Sequence, residues 1–83
     1  MSQPDFVDVQ LDHPVTINGA VLGSLRVRNP SARDIFSARK AAADKDNQQL
    51  QLLASLTGWS PDDLLELRAA DFVKASEALD SFF

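Results

Sequence analysis

Cysteine is absent from this 83-residue chain, and histidine occurs once, at His13. Disulfide staples, thiolate metal sites and cysteine nucleophiles are therefore excluded, and no His pair stands at ligand spacing. Glycine is sparse. Its three occurrences, at 19, 23 and 58, lie too far apart to cradle a phosphate. The chain has no GxxxxGK[ST], GxGxxG or GxSxG motif. No apolar run approaches the roughly 20 residues that span a bilayer. The opening Met-Ser-Gln-Pro-Asp has neither the basic region nor the apolar core of a signal peptide. These absences argue against an enzyme, a cofactor or metal protein and a membrane protein. Lack of cysteine also fits a reducing cytoplasm.

What is present is the composition of a globular domain: 45 % hydrophobic and 24 % charged. The length implies a single domain over 1–83, with a loose tail over 1–5. A chain near this size buries only roughly 60–65 % of its unfolded surface, so its stability margin is small. Net charge is −4, which disfavours non-specific binding to nucleic acid. The charge is uneven. Six of the eight basic residues, Arg26, Arg28, Arg33, Arg39, Lys40 and Lys45, fall between positions 26 and 45. The ordinary reading of that cluster is a solvated strand and helix.

The pattern predicts an α+β fold: an antiparallel β-hairpin over about 6–28, then three to four helices. Val7, Val9 and Leu11 alternate with Asp8, Gln10 and Asp12, as in a half-buried strand. Pro14 marks an edge or a bulge. Asn18-Gly19 is the hairpin turn signal, since both residues tolerate positive φ. A perfect ladder from that turn would set Leu11 against Arg26 and Val9 against Arg28, with charge on the apolar face. A one-residue slip flips every side chain. A β-bulge near Gly23-Ser24 is therefore expected.

Helices are expected over about 31–43, 47–57, 61–67 and 71–82. Ser31 and Asp34 form a capping box for the first, whose inner stripe reads Ala32, Ile35, Phe36, Arg39 and Ala43. Asp46 or Asn47 caps the second, a leucine-rich central helix that Gly58 ends. Ser60-Pro61-Asp62-Asp63 starts the third. Asp71 caps the fourth, with Phe72, Ala75 or Ser76, Leu79 and Phe82 or Phe83 as its stripe. Asp62, Asp63 and Glu66 form a carboxylate cluster, read as first-turn acids that complement a helix dipole rather than as a cation site or a general acid and base. Asp44 and Asp46 lack the glycine and terminal glutamate of a calcium loop. His13 reads as a turn or surface residue.

Three aromatic positions stand out. Trp59 can either staple against Leu64 or anchor a partner. Phe82 and Phe83 sit about 100° apart on a helix, so one ring enters the core more readily than both. With Arg26 and Arg28 as a basic edge, these make the candidate partner-binding set: Trp59, Phe82, Phe83, Arg26 and Arg28.

Several segments carry a family resemblance: His-Pro-Val-Thr-Ile-Asn-Gly at 13–19, Leu-Arg-Val-Arg-Asn-Pro-Ser-Ala-Arg-Asp at 25–34, Leu-Leu-Ala-Ser-Leu-Thr-Gly at 52–58, Ser-Pro-Asp-Asp-Leu at 60–64 and Ala-Asp-Phe at 70–72. In order and spacing the chain resembles the tail assembly chaperones of contractile-tailed, Mu-like and P2-like bacteriophages. The resemblance implies a non-enzymatic protein of the host bacterial cytoplasm. It would coat the tape-measure protein, keep it soluble and help recruit tail-tube subunits during tail morphogenesis. In many phages a frameshift yields a longer second product, and a chain ending at Phe83 would be the short form. An exposed edge along 15–17 could alternatively augment a partner's sheet. Two other functions stay open: a small structural tail or baseplate protein retained in the virion, and a nucleic-acid-binding regulator. Net charge and the lack of a recognition helix argue against the second of these.

Overall fold

The computed structural model describes residues 5–83. Residues 1–4 of the expected loose tail lie outside the described residues. The fold is α+β. Strands β1 (Phe6–Ile17) and β2 (Ala20–Arg28) form an antiparallel hairpin. Helices α1 (Ala32–Ala41), α2 (Lys45–Thr57), α3 (Pro61–Leu64) and α4 (Ala69–Asp80) follow. Helix α2 packs on β2, and α4 packs chiefly on β1, while α1 and α3 pack on α2. The shortest dimension, 20 Å, matches one helix layer on one sheet layer.

The turn forms as its residues dictate. Asn18 and Gly19 sit at φ 51° and 83°, the left-handed pair that a type I′ turn needs. Ile17 pairs with Ala20 and Val15 with Leu22. Further along, Val9 faces Leu25 and Val7 faces Val27, so four β1 residues, 11–14, stand opposite Gly23 alone. The register shift is odd, as the apolar pattern requires, and Val9, Leu11, Leu25 and Val27 are all buried. The bulge lies in β1, however, and inserts three residues there. The expected single extra residue in β2 near Gly23-Ser24 is corrected. Pro14 explains the choice of arm, because it has no N–H to keep β1 in the ladder.

The freed N–H groups of the bulge need acceptors. Asp71, fully buried in the first turn of α4, supplies both. The Asp12 N–H donates to its Oδ1 at 3.0 Å and the His13 N–H to its Oδ2 at 3.0 Å. Lys74, one turn on, bonds Asp12 Oδ1 at 2.8 Å and the Gln10 carbonyl at 3.2 Å. It also stands 3.9 Å from Asp71 Oδ1. Donation from the Asp12 N–H lowers the Asp71 carboxyl below its ordinary range. Burial opposes this, and the His13 N–H and the Lys74 charge reinforce it. Asp71 is therefore not the cap of α4. That position belongs to Arg68, which makes no side-chain cap bond.

The β2–α1 junction is held by a second carboxylate. Asp34 closes the capping box, accepting from the Ser31 N–H at 2.9 Å while its own N–H donates to Ser31 Oγ at 3.3 Å. Arg28 adds a forked pair, at 3.0 and 3.3 Å. Helix α1 turns Ile35 and Ala38 inward and leaves Ala32, Phe36 and Arg39 exposed, and Ala43, beyond its Ala42 cap, is exposed as well. The expected stripe was rotated toward Phe36. The helix spends its inner face on α2, where a small residue at Ala38 permits close approach. Asp44, not Asp46 or Asn47, caps α2 by accepting from the Asn47 N–H at 3.1 Å. Helix α2 buries Leu52, Leu53 and Leu56 and is the central helix. Gly58 ends it at φ 78°.

Two measurements follow from these carboxylates. Asp71→Ala strands both bulge N–H groups, and Asp71→Asn opposes one of them with an NH2. Each substitution should lower Tm by on the order of 10 °C in a thermal melt. Hydrogen exchange should accelerate first at the amides of Asp12 and His13. Asp34, with its pKa lowered to about 2 chiefly by Arg28 and then by the Ser31 N–H, acts through pH. A depressed folded-state pKa gives stability that is complete above the unfolded value and is lost as pH falls through the folded one. Allowing for the solvent around Arg28, wild type should exceed Asp34→Asn by about 1 kcal/mol at pH 7. That gap should close between about pH 5 and pH 2 in urea titrations.

Candidate docking surface

The basic edge proposed at Arg26 and Arg28 is engaged within the protein. Arg26 lies directly across the ladder from Asp8 on the outer face. Its Nε donates to Asp8 Oδ1 at 2.8 Å, and its guanidinium stacks 3.8 Å above the Phe6 ring centroid. The hydrogen bond from Arg26 pulls the Asp8 carboxyl below its ordinary range. Arg28 is committed to Asp34. Both arginines remain exposed, but neither is a free cation.

The aromatic candidates part company. Trp59 is half-buried against the core and precedes the Ser60 cap of α3, in the staple position relative to the fully buried Leu64. The Trp59 backbone N–H donates to Thr57 Oγ1 at 3.2 Å. After α4, two i→i−3 bonds tighten the chain, from the Phe82 N–H to Leu79 and from the Phe83 N–H to Asp80. That turn swings Phe82 into the core and leaves Phe83 71 % exposed.

Phe83 borders an open groove of about 330 Å³ between α1, α2 and the end of α4. Ile35, Ala38, Leu52 and Leu79 supply its apolar lining. Arg39 and Lys45 stand on it from α1 and α2, with Gln48 and Gln49 beside them, and Asp80 from α4. Gln48 also steadies the α1–α2 link by donating to the Ala42 carbonyl at 3.1 Å. Phe36, 59 % exposed, flanks Arg39, whose guanidinium lies 5.8 Å from the ring centroid. A second groove of about 330 Å³ runs between α3 and α4, lined by Leu64, Leu65, Leu67, Ala69, Phe72 and Val73.

The groove residues on α1 and the pair Leu65 and Val73 are the surface residues that sequence reasoning missed. A signal existed for the second groove. A one-turn helix cannot bury both members of the Leu64-Leu65 pair, nor α4 both Phe72 and Val73. Nothing in the arrangement offers chemistry. Among the described residues no three His, Asp or Glu side chains gather to hold a metal ion. No helix among them is long and apolar enough to cross a membrane. What the surface can do is hold an apolar face of another molecule.

A family model described as "Phage tail assembly chaperone proteins, E, or 41 or 14" matches residues 8–83. No curated protein and no solved structure matches the chain.

Proposed function

The chain belongs to the phage tail assembly chaperone family, and from that premise we propose that it binds the tape-measure protein in the host cytoplasm and helps bring tail-tube subunits to it. It works by binding, not by catalysis. The observation that carries this reading is the open groove with Phe83 at its border. A helical client needs a trough that takes side chains at i, i+3, i+4 and i+7. A trough between packed helices supplies one without unfolding the chaperone. An exposed phenylalanine beside an apolar lining costs solubility unless something covers it. Phe83 is thus the contact residue in this proposal. Trp59 and Phe82 pack into the core instead, and Arg26 and Arg28 hold the hairpin and its junction. The second groove, at Leu65 and Val73, offers a separate surface for the tail-tube subunit.

Pull-down of a co-expressed tape-measure fragment tests the proposal. Phe83→Ala should weaken capture by on the order of 30-fold, the loss of one buried ring worth about 2 kcal/mol. Its Tm should stay unchanged, because that ring is exposed. Phe82→Ala should instead lower Tm sharply, as a core truncation. Undiminished capture by Phe83→Ala would sink the groove reading. Mass spectrometry of purified virions addresses the competing structural role: the protein should be missing from finished particles, whereas stoichiometric retention would make it a tail or baseplate component.

A further inference from the structure

We infer that the helix taken by the α1–α2–α4 groove is acidic along one flank: an amphipathic helix whose apolar stripe meets Ile35 and Phe83 while its Asp or Glu residues meet Arg39 and Lys45. This rests on the groove reading above and adds the chemistry of the client. The cations carry it. The protein has a net charge of −4 and eight basic residues. Arg26, Arg28 and Lys74 are ion-paired, to Asp8, Asp34 and Asp12. Besides Arg68 at the α4 cap, Arg33, Arg39, Lys40 and Lys45 have no ion-pair partner among the described residues, and all four are exposed. They fall on α1 and the first residue of α2.

Their placement relative to the groove is ordered. Steps of roughly 100° around α1 take the surface from Ile35 to Arg39, then Phe36, then Lys40 and Arg33. The groove wall therefore continues outward as a band of cations with one aromatic ring among them. Arg39 already rests over Phe36, which restrains its side chain and lowers the entropy lost when it pairs. The one acid bordering the groove is Asp80, on the opposite, α4 side. A helix lying in the trough thus meets positive charge along its α1–α2 flank and a single negative charge along the other. An acidic flank satisfies that asymmetry, and a basic flank meets unpaired like charge. A polynucleotide could use the same cations, but it has no apolar stripe for the groove lining, and the net charge of the protein repels it.

The test uses the full chain and four labelled probes followed by fluorescence anisotropy. Three are stapled amphipathic peptides with one Leu/Ala stripe and a flank of Glu, Gln or Lys. The fourth is a single-stranded oligonucleotide. The Glu peptide should bind about tenfold tighter than the Gln peptide at low salt, and the Lys peptide weakest, with the spread shrinking as salt rises toward about 0.5 M. The double variant Arg39→Glu/Lys45→Glu should invert that order with an unchanged Tm. Arg68→Glu, at an exposed cation on the α4 cap, should leave it intact. Equal binding of all three peptides, abolished by Phe83→Ala, would overturn the charge inference while keeping the groove. Binding of none would remove the groove reading as well. Tighter binding of the oligonucleotide than of any peptide would overturn the inference in favour of a nucleic-acid surface.

Discussion

One buried carboxylate holds two elements that are distant in the chain. Asp71 takes the backbone N–H groups of Asp12 and His13, the donors that Pro14 and the bulge remove from the ladder. A buried amide without an acceptor is expensive, so the bulge and the docking of α4 come as a unit. The bulge in turn sets the register. By inserting an odd number of residues opposite Gly23, it sets Val9 against Leu25 and Val7 against Val27, so that the open end of the hairpin has a continuous apolar face. That continuous face is what α2 and α4 cover. Lys74 completes the arrangement by neutralising Asp12 and reaching the Gln10 carbonyl. A charge buried without such partners would be hard to keep ionised.

From this anchor the fold sorts its charges into two kinds. On the hairpin and its junction each arginine meets a carboxylate opposite or just ahead of it: Arg26 with Asp8, Arg28 with Asp34. Such exposed pairs contribute little individually, but they keep these guanidinia occupied. The cations of α1 have no such partner: Asp34, the acid of that helix, is taken by Arg28. The result is a basic, partly aromatic band beside a groove whose lining mixes apolar and polar side chains. A family of tail assembly chaperones acts through other tail proteins, and on this surface the apolar lining and the charge asymmetry can be read by one helical partner.

Sequence and structure agree at several points where a few adjacent residues decide the outcome. Asn18-Gly19 specified its turn through positive φ, and Ser31 with Asp34 specified the start of α1. Gly58 ended α2, and Ser60-Pro61 opened α3. The alternation of valines and leucines by itself requires an odd register shift. Each of these is a local property of backbone sterics or of hydrogen bonds reaching three or four residues. The family assignment was legible for the same reason, since it rests on the order of such segments along the chain.

Tertiary structure decided the rest. Asp71 stands in the first turn of α4, where an acid ordinarily serves the helix dipole or the cap. Only the arrival of β1, 59 residues away in sequence, turns it into the acceptor of the bulge. Which arm bulged depended on that same encounter. The choice between Phe82 and Phe83 depended on the turn closing α4 over the core, and the freedom of Arg39 and Lys45, against the engagement of Arg26 and Arg28, on which carboxylates came within reach. Local sequence carries propensity and pattern. It does not carry the distance between groups that meet only when the layers pack, and in this protein those distances separate the anchored charges from the available ones.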